Sequence, residues 1–541
     1  MPETSLPPDV GLKTLDYAAI ILYMVSTFGI ALWFGRKQKT TEDFFVGGRH
    51  MPWFAVGLSI LATLFSTLSY LGSPGEMIKH GIGMSLGVLA LPLSMSVITL
   101  LWIPFFMRLK VTSAYEYLER RFNYGARLMG ATLFILLRLG WMSMVIYAAS
   151  MALDEVKGGD FSLLSGKDIY WWIAGVGLFA AIYMTIGGIQ AMIWTDVLQC
   201  LLLLAGVLMP IGYVVVIDHS GPADWWHAAS VHAPEHTSPP VFSANLMERN
   251  TIFWFMINNF FWNICTHGSD QVVLQRYFST ASVRAARRSY IINVCVDLSM
   301  TVLLGLAGLA LLAFYLRHGD LLPAGMTAVG AADKLFPHFL GHQLPAGCAG
   351  LIIAAFICDA MQTLESGVNA ITAVVTSDIV PRLRQGRPRI LSDLTFARVM
   401  TVVIAVIVTV NAYFVTERSL DPDRRLTLVD MMPKFFNLIV GPLAAFFFTG
   451  MFLPRCTARS VIPAVLTGLT VSVSWSWYPE IFHVKNGPTP FLATAVPCLT
   501  TIATAFVLSF LVERGGPHAG QDFTWFAIVR GGKPEQGHGE T

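Results

Sequence analysis

The sequence AGCAGLIIAAFICDAMQTLESGVNAITAVV, residues 346–375, is long and apolar enough to cross a lipid bilayer as one helix. Four polar residues within it are spaced i, i+3, i+4 and i+7, so they lie on one face of that helix. They are Asp359, Gln362, Thr363 and Ser366. An ionised carboxylate near mid-bilayer costs roughly 2.5–3.5 kcal/mol on insertion scales, so such residues are rare and commonly functional. This stripe indicates a bound cation.

The composition of the whole chain is that of a membrane protein. Of its 541 residues, 54% are hydrophobic and 13% are charged, whereas a typical soluble domain has about 25% charged residues. The formal net charge of +2, without a pooled basic patch, does not indicate a nucleic-acid partner. The seven cysteines lie almost all in apolar runs without C-x-x-C spacing, which is typical of small buried side chains.

Apolar runs of about 20 residues predict roughly thirteen membrane-spanning helices, and hence an all-α polytopic membrane protein. The approximate limits are 16–35, 53–78, 82–107, 128–152, 169–186, 190–217, 251–277, 289–316, 346–378, 397–415, 430–453, 461–479 and 489–512.

Lysine and arginine are concentrated in alternate loops between these spans, for example in 276–288 and 382–389. Because such loops face the cytoplasm, the amino terminus is expected outside and the carboxyl terminus inside, in a multi-pass protein of the cell (inner) membrane. The loop 416–430 departs from this pattern, because it contains three arginines although the alternation places it outside. Four acidic residues accompany these arginines.

Two of the predicted spans contain residues that interrupt a helix. The second has GSPG at 72–75, and the seventh has THGSD at 266–270. Each begins a block of five spans, roughly 53–217 and 251–453, and because five is odd the blocks lie in opposite orientations. Interrupted helices at matching places in inverted halves indicate a solute site near the membrane midplane. The alternative for each helix taken singly is a kinked structural helix.

This pattern predicts two five-helix repeats with one leading and two trailing helices. The predicted segments are 1–52 (extracytoplasmic tail and leading helix), 53–217 (first repeat), 218–250 (external loop), 251–453 (second, inverted repeat), 454–512 (trailing helices) and 513–541 (cytoplasmic tail).

Five stretches resemble the solute:sodium symporter family, and the similarity covers residues 12–512. They are ATLFSTLSYLGSPGE (62–76), IGGIQAMIWTDVLQ (186–199), DQVVLQRYFS (270–279), TSDI (376–379) and FNLIVGPLAAFFFTGMF (436–452). The resemblance implies a LeuT-type inverted-repeat fold and ion-coupled transport by alternating access. It implies sodium as the only metal and no other cofactor.

The resemblance also implies a sodium site between the first and eighth core helices. The matching backbone carbonyls are those of Ala62 and Phe65, and the eighth helix supplies Asp359, Gln362 and Thr363. Thr363 matches a hydroxyl ligand of the family. Gln362 replaces a second hydroxyl with an amide oxygen, and Asp359 stands where a small apolar residue is usual.

Some family members bind a second sodium ion, and the matching positions here are Asp196, Glu365 and Ser366. The added carboxylates would tighten sodium binding, or carry protons if burial raised their pKa. Arg138, in the fourth span, needs a buried partner, and Asp196 or Glu365 are the nearest candidates by depth. Asp196 is therefore either an ion ligand or half of an ion pair.

We predict a pocket for a small polar organic solute at the interrupted helices. Asn263 matches an asparagine of sugar-carrying relatives, but Thr266 replaces their aromatic gate. The candidate lining residues are Ser66, Thr67, Ser69, Asn263, Thr266 and His267. Hydrogen bonds to the neighbouring backbone are the alternative role of each. The candidate solutes are sugars, monocarboxylates, amino acids and sialic-acid-like compounds.

These features predict sodium-coupled symport, with the solute, sodium and the lipid bilayer as partners and no protein partner implied. The alternatives are a proton-coupled symporter of the same fold and a transporter-like solute sensor. A sensor would carry a cytoplasmic signalling module, whereas the segment 513–541 is too short to fold alone. A P-loop and metal-binding spacing are both missing, so an enzyme is not expected.

Overall fold

The computed structural model describes most of the chain. The described residues are 13–36, 41–65, 67–109, 111–156, 168–248, 251–322, 327–330, 332–345, 347–384, 392–419, 434, 436–484, 487–513 and 520–531. Within these ranges the regular secondary structure is helical throughout, which confirms the all-α prediction.

Eighteen principal helices, numbered here in chain order, build the described fold. They are α1 (Thr14–Gly35), α2 (Trp53–Leu64), α3 (Thr67–His80), α4 (Gly83–Leu109), α5 (Tyr115–Arg121), α6 (Tyr124–Val156), α7 (Ile169–Ile182), α8 (Gly188–Ile217), α9 (Pro222–His232), α10 (Ile252–Ser269), α11 (Gln271–Phe278), α12 (Val283–Arg317), α13 (Ala332–His342), α14 (Cys348–Val374), α15 (Asp393–Ser419), α16 (Asn437–Phe452), α17 (Ala458–Ser476) and α18 (Ala495–Leu511).

Seven of the described helices are by themselves long and apolar enough to cross a membrane, or eight if α2 and α3 form one bent span. The chain is therefore a multi-pass membrane protein by length and composition. The count of thirteen spans and the boundaries of the two repeats stay predictions.

The first interrupted helix breaks between α2 and α3. Phe65 has an extended backbone, with φ −88° and ψ 92°, and the two segments meet at an angle of 59°. A helix that ends in this way leaves its last carbonyls without a helical partner. The prediction of an interruption in this span is confirmed.

Its predicted position, however, is wrong. Residues 72–75 lie inside α3, which continues through Pro74. The physical reason is close packing against α12, because a Cβ added at Gly308 would lie 2.9 Å from the Pro74 carbonyl oxygen and 2.7 Å from Cβ of Met77. Tertiary packing of this kind overrides local helix propensity. The break therefore falls about two to three turns earlier than the glycine and proline residues predict.

The second interrupted helix breaks at Asp270, between α10 and α11. Asp270 has φ −84° and ψ 117°, and its side chain accepts a hydrogen bond from the Val272 amide as the cap of α11. The predicted break at 266–270 is confirmed at its last residue only, since α10 continues to Ser269.

The leading helix α1 is joined to the amino end of α14 by a buried carboxylate. Asp16 is 2% exposed, and its Oδ1 accepts hydrogen bonds from the amides of Gly347 (2.8 Å) and Gly350 (2.7 Å). A carboxylate at a helix amino terminus satisfies donors that the helix itself cannot pair. The helices also touch closely there, because a Cβ at Gly350 would meet Cα of Asp16 at 2.2 Å.

We expect Asp16→Ala to lower the free energy of unfolding by about 1–3 kcal/mol, because it leaves two buried amide donors unpaired. Asp16→Asn, which keeps one carbonyl oxygen, should cost less. Thermal melting of the purified protein measures both changes. The matched control is Asp224→Ala at the exposed amino end of α9, where Asp224 binds the Gly221 amide. Equal melting temperatures for Asp16→Ala and the unmodified protein would contradict this role.

Candidate functional site

The polar stripe predicted from the sequence faces the interior of the helix bundle. Asp359, Gln362 and Thr363 of α14 are each 0% exposed. Glu365 and Ser366 are 1% and 2% exposed. An ion site requires these side chains to face the protein interior and not the lipid, and their burial meets this requirement.

The end of α2 lies beside this stripe. The hydroxyl of Thr63 is 3.2 Å from that of Ser366, one helical turn beyond Thr363. This contact brings the end of α2, where Ala62 and Phe65 carry the predicted carbonyl ligands, alongside α14.

Two side chains at this junction have unused hydrogen-bonding groups. Within the described part of the chain, neither the amide atoms of Gln362 nor the hydroxyl of Thr363 has a hydrogen-bond partner, although both residues are fully buried. Buried polar groups are nearly always paired, and leaving one unpaired costs about 1–3 kcal/mol. Oxygen atoms left unpaired beside a helix end suit a monovalent cation.

An arginine occupies the region of the second predicted ion site, formed by Asp196, Glu365 and Ser366. Arg276 of α11 places Nη2 3.0 Å from Oδ2 of Asp196 and 2.6 Å from the Ser366 hydroxyl. Its Nε donates to the Ser59 hydroxyl at 2.7 Å, and Ser59 in turn donates to Asp196 at 2.5 Å. The sequence predicts Asp196 to be either an ion ligand or half of an ion pair, and these distances show the ion pair. Glu365 lies on the same helix as Ser366 but enters this network through none of these bonds.

The predicted partners of Arg138 are wrong. Arg138 of α6 forms its salt bridge with Asp270, at the break between α10 and α11, and both side chains are at most 2% exposed. Depth along the helices could not distinguish these carboxylates, whereas the bundle places Asp270 beside α6 and Asp196 beside Arg276. Arg138 and Arg276 are consequently each neutralised by an aspartate from outside their own helix.

A cavity of about 170 Å³ lies next to the break between α2 and α3, a size that admits a small organic molecule. Of the predicted lining residues, Ser69 and Asn263 border it. Ser66 and the side chain of Thr67 lie outside the described residues.

The two remaining lining predictions are wrong. The Thr266 hydroxyl donates to the Trp262 carbonyl at 2.6 Å, and both Thr266 and His267 are 0% exposed. Nδ1 of His267 lies 2.7 Å from the Tyr277 hydroxyl. Because α10 continues as a regular helix to Ser269, Thr266 bonds its own helix and His267 contacts α11, and neither residue lines the cavity.

The cavity extends towards one end of the bundle only. Its wall runs from Phe65 to Gly81 and Val88, at the far end of α3 and the start of α4.

At the opposite end of the bundle, Arg127 binds Asp378 and Glu119. Partial burial by itself would raise the pKa of Glu119, but its hydrogen bonds and attraction to Arg127 and Arg382 outweigh burial, so this pKa lies below its usual value.

Several residues of the site were missed by reasoning from the sequence. Asp297, in the middle of α12, lines the cavity together with Asn293 and Thr301. Their i, i+4 and i+8 spacing is a stripe of the kind that identified residues 359–366, so the signal was present. Arg276 and Ser59 carried no comparable signal, because their importance depends on which helices meet.

Comparison with known proteins agrees with this arrangement. A family model described as "Sodium:solute symporter family" matches residues 44–468. The chain belongs to the sodium:solute symporter family. Family members use sodium as the coupling ion and are transporters, which supports a non-enzymatic role for this symporter family member as well.

Relatives of this symporter carry different solutes. The sodium/sialic acid symporter SiaT of Proteus mirabilis is 29% identical over 459 residues, covering 84% of this chain and 88% of that protein. The human sodium/iodide cotransporter is 28% identical over 480 residues, covering 87% and 70%. The human sodium-coupled monocarboxylate transporter 1 is 28% identical over 475 residues, covering 85% and 72%.

A solved structure confirms the fold. The substrate-bound, outward-open state of a Na⁺-coupled sialic acid symporter matches with a TM-score of 0.79 and 26% identity, covering 94% of this chain and all of that one. A nucleobase-cation-symport-1 family transporter matches with a TM-score of 0.54 at 15% identity, and this similarity concerns only the fold. The LeuT-type fold implied by the sequence resemblance is thereby confirmed.

We expect Arg138→Met to lower the free energy of unfolding by about 3–5 kcal/mol, because the charge of Asp270 would stay buried without its partner. The double variant Arg138→Met/Asp270→Asn should lose less than the sum of the two single changes. Thermal melts of the three variants form a double-mutant cycle. The control is Arg120→Met, whose half-exposed pair with Glu116 should contribute at most about 1 kcal/mol. Additive losses at positions 138 and 270 would argue against the buried pair.

Proposed function

We propose that this protein couples the inward movement of sodium to the uptake of a small polar organic solute, by alternating access across the cell (inner) membrane. The observation that carries the proposal is the set of buried, unpartnered side-chain groups of Gln362 and Thr363 beside the interrupted end of α2. Sodium accepts carbonyl, amide, hydroxyl and carboxylate oxygens alike, so Ala62, Phe65 and Asp359 complete a plausible ligand set.

The proposed coupling follows from where the ligands lie. Sodium bound between α2 and α14 would hold these helices together and order the broken end of α2. Leu61, Leu64 and Phe65 of that end also form part of the cavity wall. Sodium binding should therefore raise solute affinity, and by thermodynamic reciprocity the solute must raise sodium affinity equally.

The cavity supports an outward-facing state in the orientation expected from the basic loops. The end of the cavity near Gly81 and Val88 is then extracytoplasmic, and the Arg127–Asp378 ion pair lies at the cytoplasmic end. The hydroxyl of Ser113 adds a 2.6 Å hydrogen bond to Asp378, which ties the segment before α5 to the end of α14. Release of solute inwards would require this contact and its neighbours to open.

The energetics of such coupling are sufficient for accumulation. One sodium ion moving down a potential of about 100 mV releases roughly 2.3 kcal/mol. A tenfold sodium gradient adds about 1.4 kcal/mol. Together these would sustain a solute gradient of several hundred-fold per ion.

We expect Thr363→Val to weaken sodium binding about tenfold, because it removes one hydroxyl ligand while preserving side-chain shape. Sodium titration of the thermal stability of the purified protein measures this change, since a ligand of the folded state raises the melting temperature by mass action. Potassium at equal ionic strength distinguishes a specific site from a salt effect. The titration at two pH values separates sodium from proton coupling.

The matched control for this substitution is Thr372→Val. Thr372 is also fully buried on α14, but it lies about 13 Å further along the helix at 1.5 Å per residue. The control should fold and titrate with sodium as the unmodified protein does. A Thr363→Val protein with unchanged sodium affinity would remove Thr363 from the site.

A further inference from the structure

The wall of the cavity is acidic. Its described lining residues include one carboxylate, Asp297, and no lysine, arginine or histidine. Its other polar groups are neutral, chiefly serines and the amides of five asparagines. A solute in this cavity therefore meets a negative charge with no opposing positive charge on the wall.

Asp297 differs from Asp196, Asp270 and Asp378 in having no basic partner among the described residues. Asp196, Asp270 and Asp378 each form an ion pair with an arginine. No hydrogen bond or ion pair joins Asp297 to any residue that the structure describes. Because an ionised carboxylate at this depth costs roughly 2.5–3.5 kcal/mol, a compensating cation is expected to enter the cavity.

Aromatic rings form a second feature of the same wall. Trp141, Trp262 and Phe436 line the cavity. The rings of Trp141 and Phe436 are 4.6 Å apart between centroids, and those of Trp262 and Phe436 are 6.4 Å apart. Faces of tryptophan and phenylalanine attract organic cations, and clusters of them are the usual recognition site for ammonium groups.

Two amides of the wall provide hydrogen-bond acceptors. The side-chain oxygens of Asn258 on α10 and Asn293 on α12 are buried and have no hydrogen-bond partner in the described residues. An oxygen in this situation requires a donor. Asn293 lies one turn before Asp297 on α12, so a donor that reaches this carboxylate can also reach the amide.

We propose that the solute carries a positively charged ammonium group, bound by Asp297 and by the aromatic rings of Trp141 and Trp262. The Phe436 ring already has the Arg138 guanidinium 5.9 Å from its centroid and supports the two tryptophans. This inference rests on the proposed symport function and assigns its solute class. It separates this protein from relatives named for sialic acid, iodide and monocarboxylates, which are anions that the wall would repel. The neutral amides would bind the remaining polar groups of the solute.

The charge preference of the cavity can be measured without knowing the solute. A cysteine introduced as Thr301→Cys, one turn beyond Asp297, is labelled with the trimethylammonium-ethyl or the sulfonato-ethyl methanethiosulfonate. The labelling rate of each reagent is divided by its rate with a free thiol in solution, which removes the difference in intrinsic reactivity. Labelling of the protein without Thr301→Cys gives the background from its native cysteines. We expect the cationic reagent to react about tenfold faster than the anionic one. Asp297→Asn should abolish this preference.

Equal rates for the two reagents, or a preference that survives Asp297→Asn, would overturn the proposal. The control is Asp224→Asn on the exposed helix α9, which should leave the preference unchanged. The labelling requires neither transport nor sodium. Its failure is therefore distinguishable from failure of the symport proposal, which the sodium titration of Thr363→Val tests separately.

Matched solutes provide the second measurement. Each of two series keeps one carbon skeleton and changes its charge from positive through neutral to negative. The first is glucosamine, glucose and glucuronate, and the second is butylammonium, butanol and butyrate. In sodium, the ammonium member of a series should raise the melting temperature most, and Asp297→Asn should remove that difference. Stabilisation by glucuronate or butyrate in preference to the ammonium member would contradict the proposal.

Discussion

Neutralisation of buried charge by partners on other helices is the constraint that organises this bundle. Arg138 of α6 binds Asp270 at the break between α10 and α11, and Arg276 of α11 binds Asp196. A buried charge that loses its partner costs several kcal/mol. The second interrupted helix is thus fixed at its break and in α11 by permanent cations supplied by the chain.

The first interrupted helix is held differently. Beside the end of α2, the polar side-chain atoms of Gln362 and Thr363 have no partner in the described residues. One break therefore contains arginines that cannot leave, while the other offers oxygen atoms to an ion that can. This difference suits the proposed carrier, in which the second break stays fixed while the first responds to sodium. The cavity beside the first break is lined by Asp297, a carboxylate that likewise has no hydrogen-bond or ion-pair partner among the described residues.

Much of the fold was predictable because a bilayer imposes strong local rules. Helices must be apolar and about 20 residues long, so their type and approximate position follow from composition. The stripe from Asp359 to Ser366 was predictable because helical periodicity alone places these side chains on one face. The site was less predictable. The break near Phe65 has no glycine or proline to mark it, and Thr266 and His267 were assigned to a pocket although α10 continues through them.

The sequence by itself determined the membrane environment, the two interrupted helices, the family and the buried polar stripe on α14, since each of these depends on residues near one another in the chain. The tertiary structure alone decided which charges pair, where the first break falls and which polar residues face the cavity. Arg138 and Asp270 are 132 positions apart, and Arg276 and Asp196 are 80 apart. The physical reason is that ion pairs and cavity walls form between helices, and helix contacts are set by packing that no local pattern encodes.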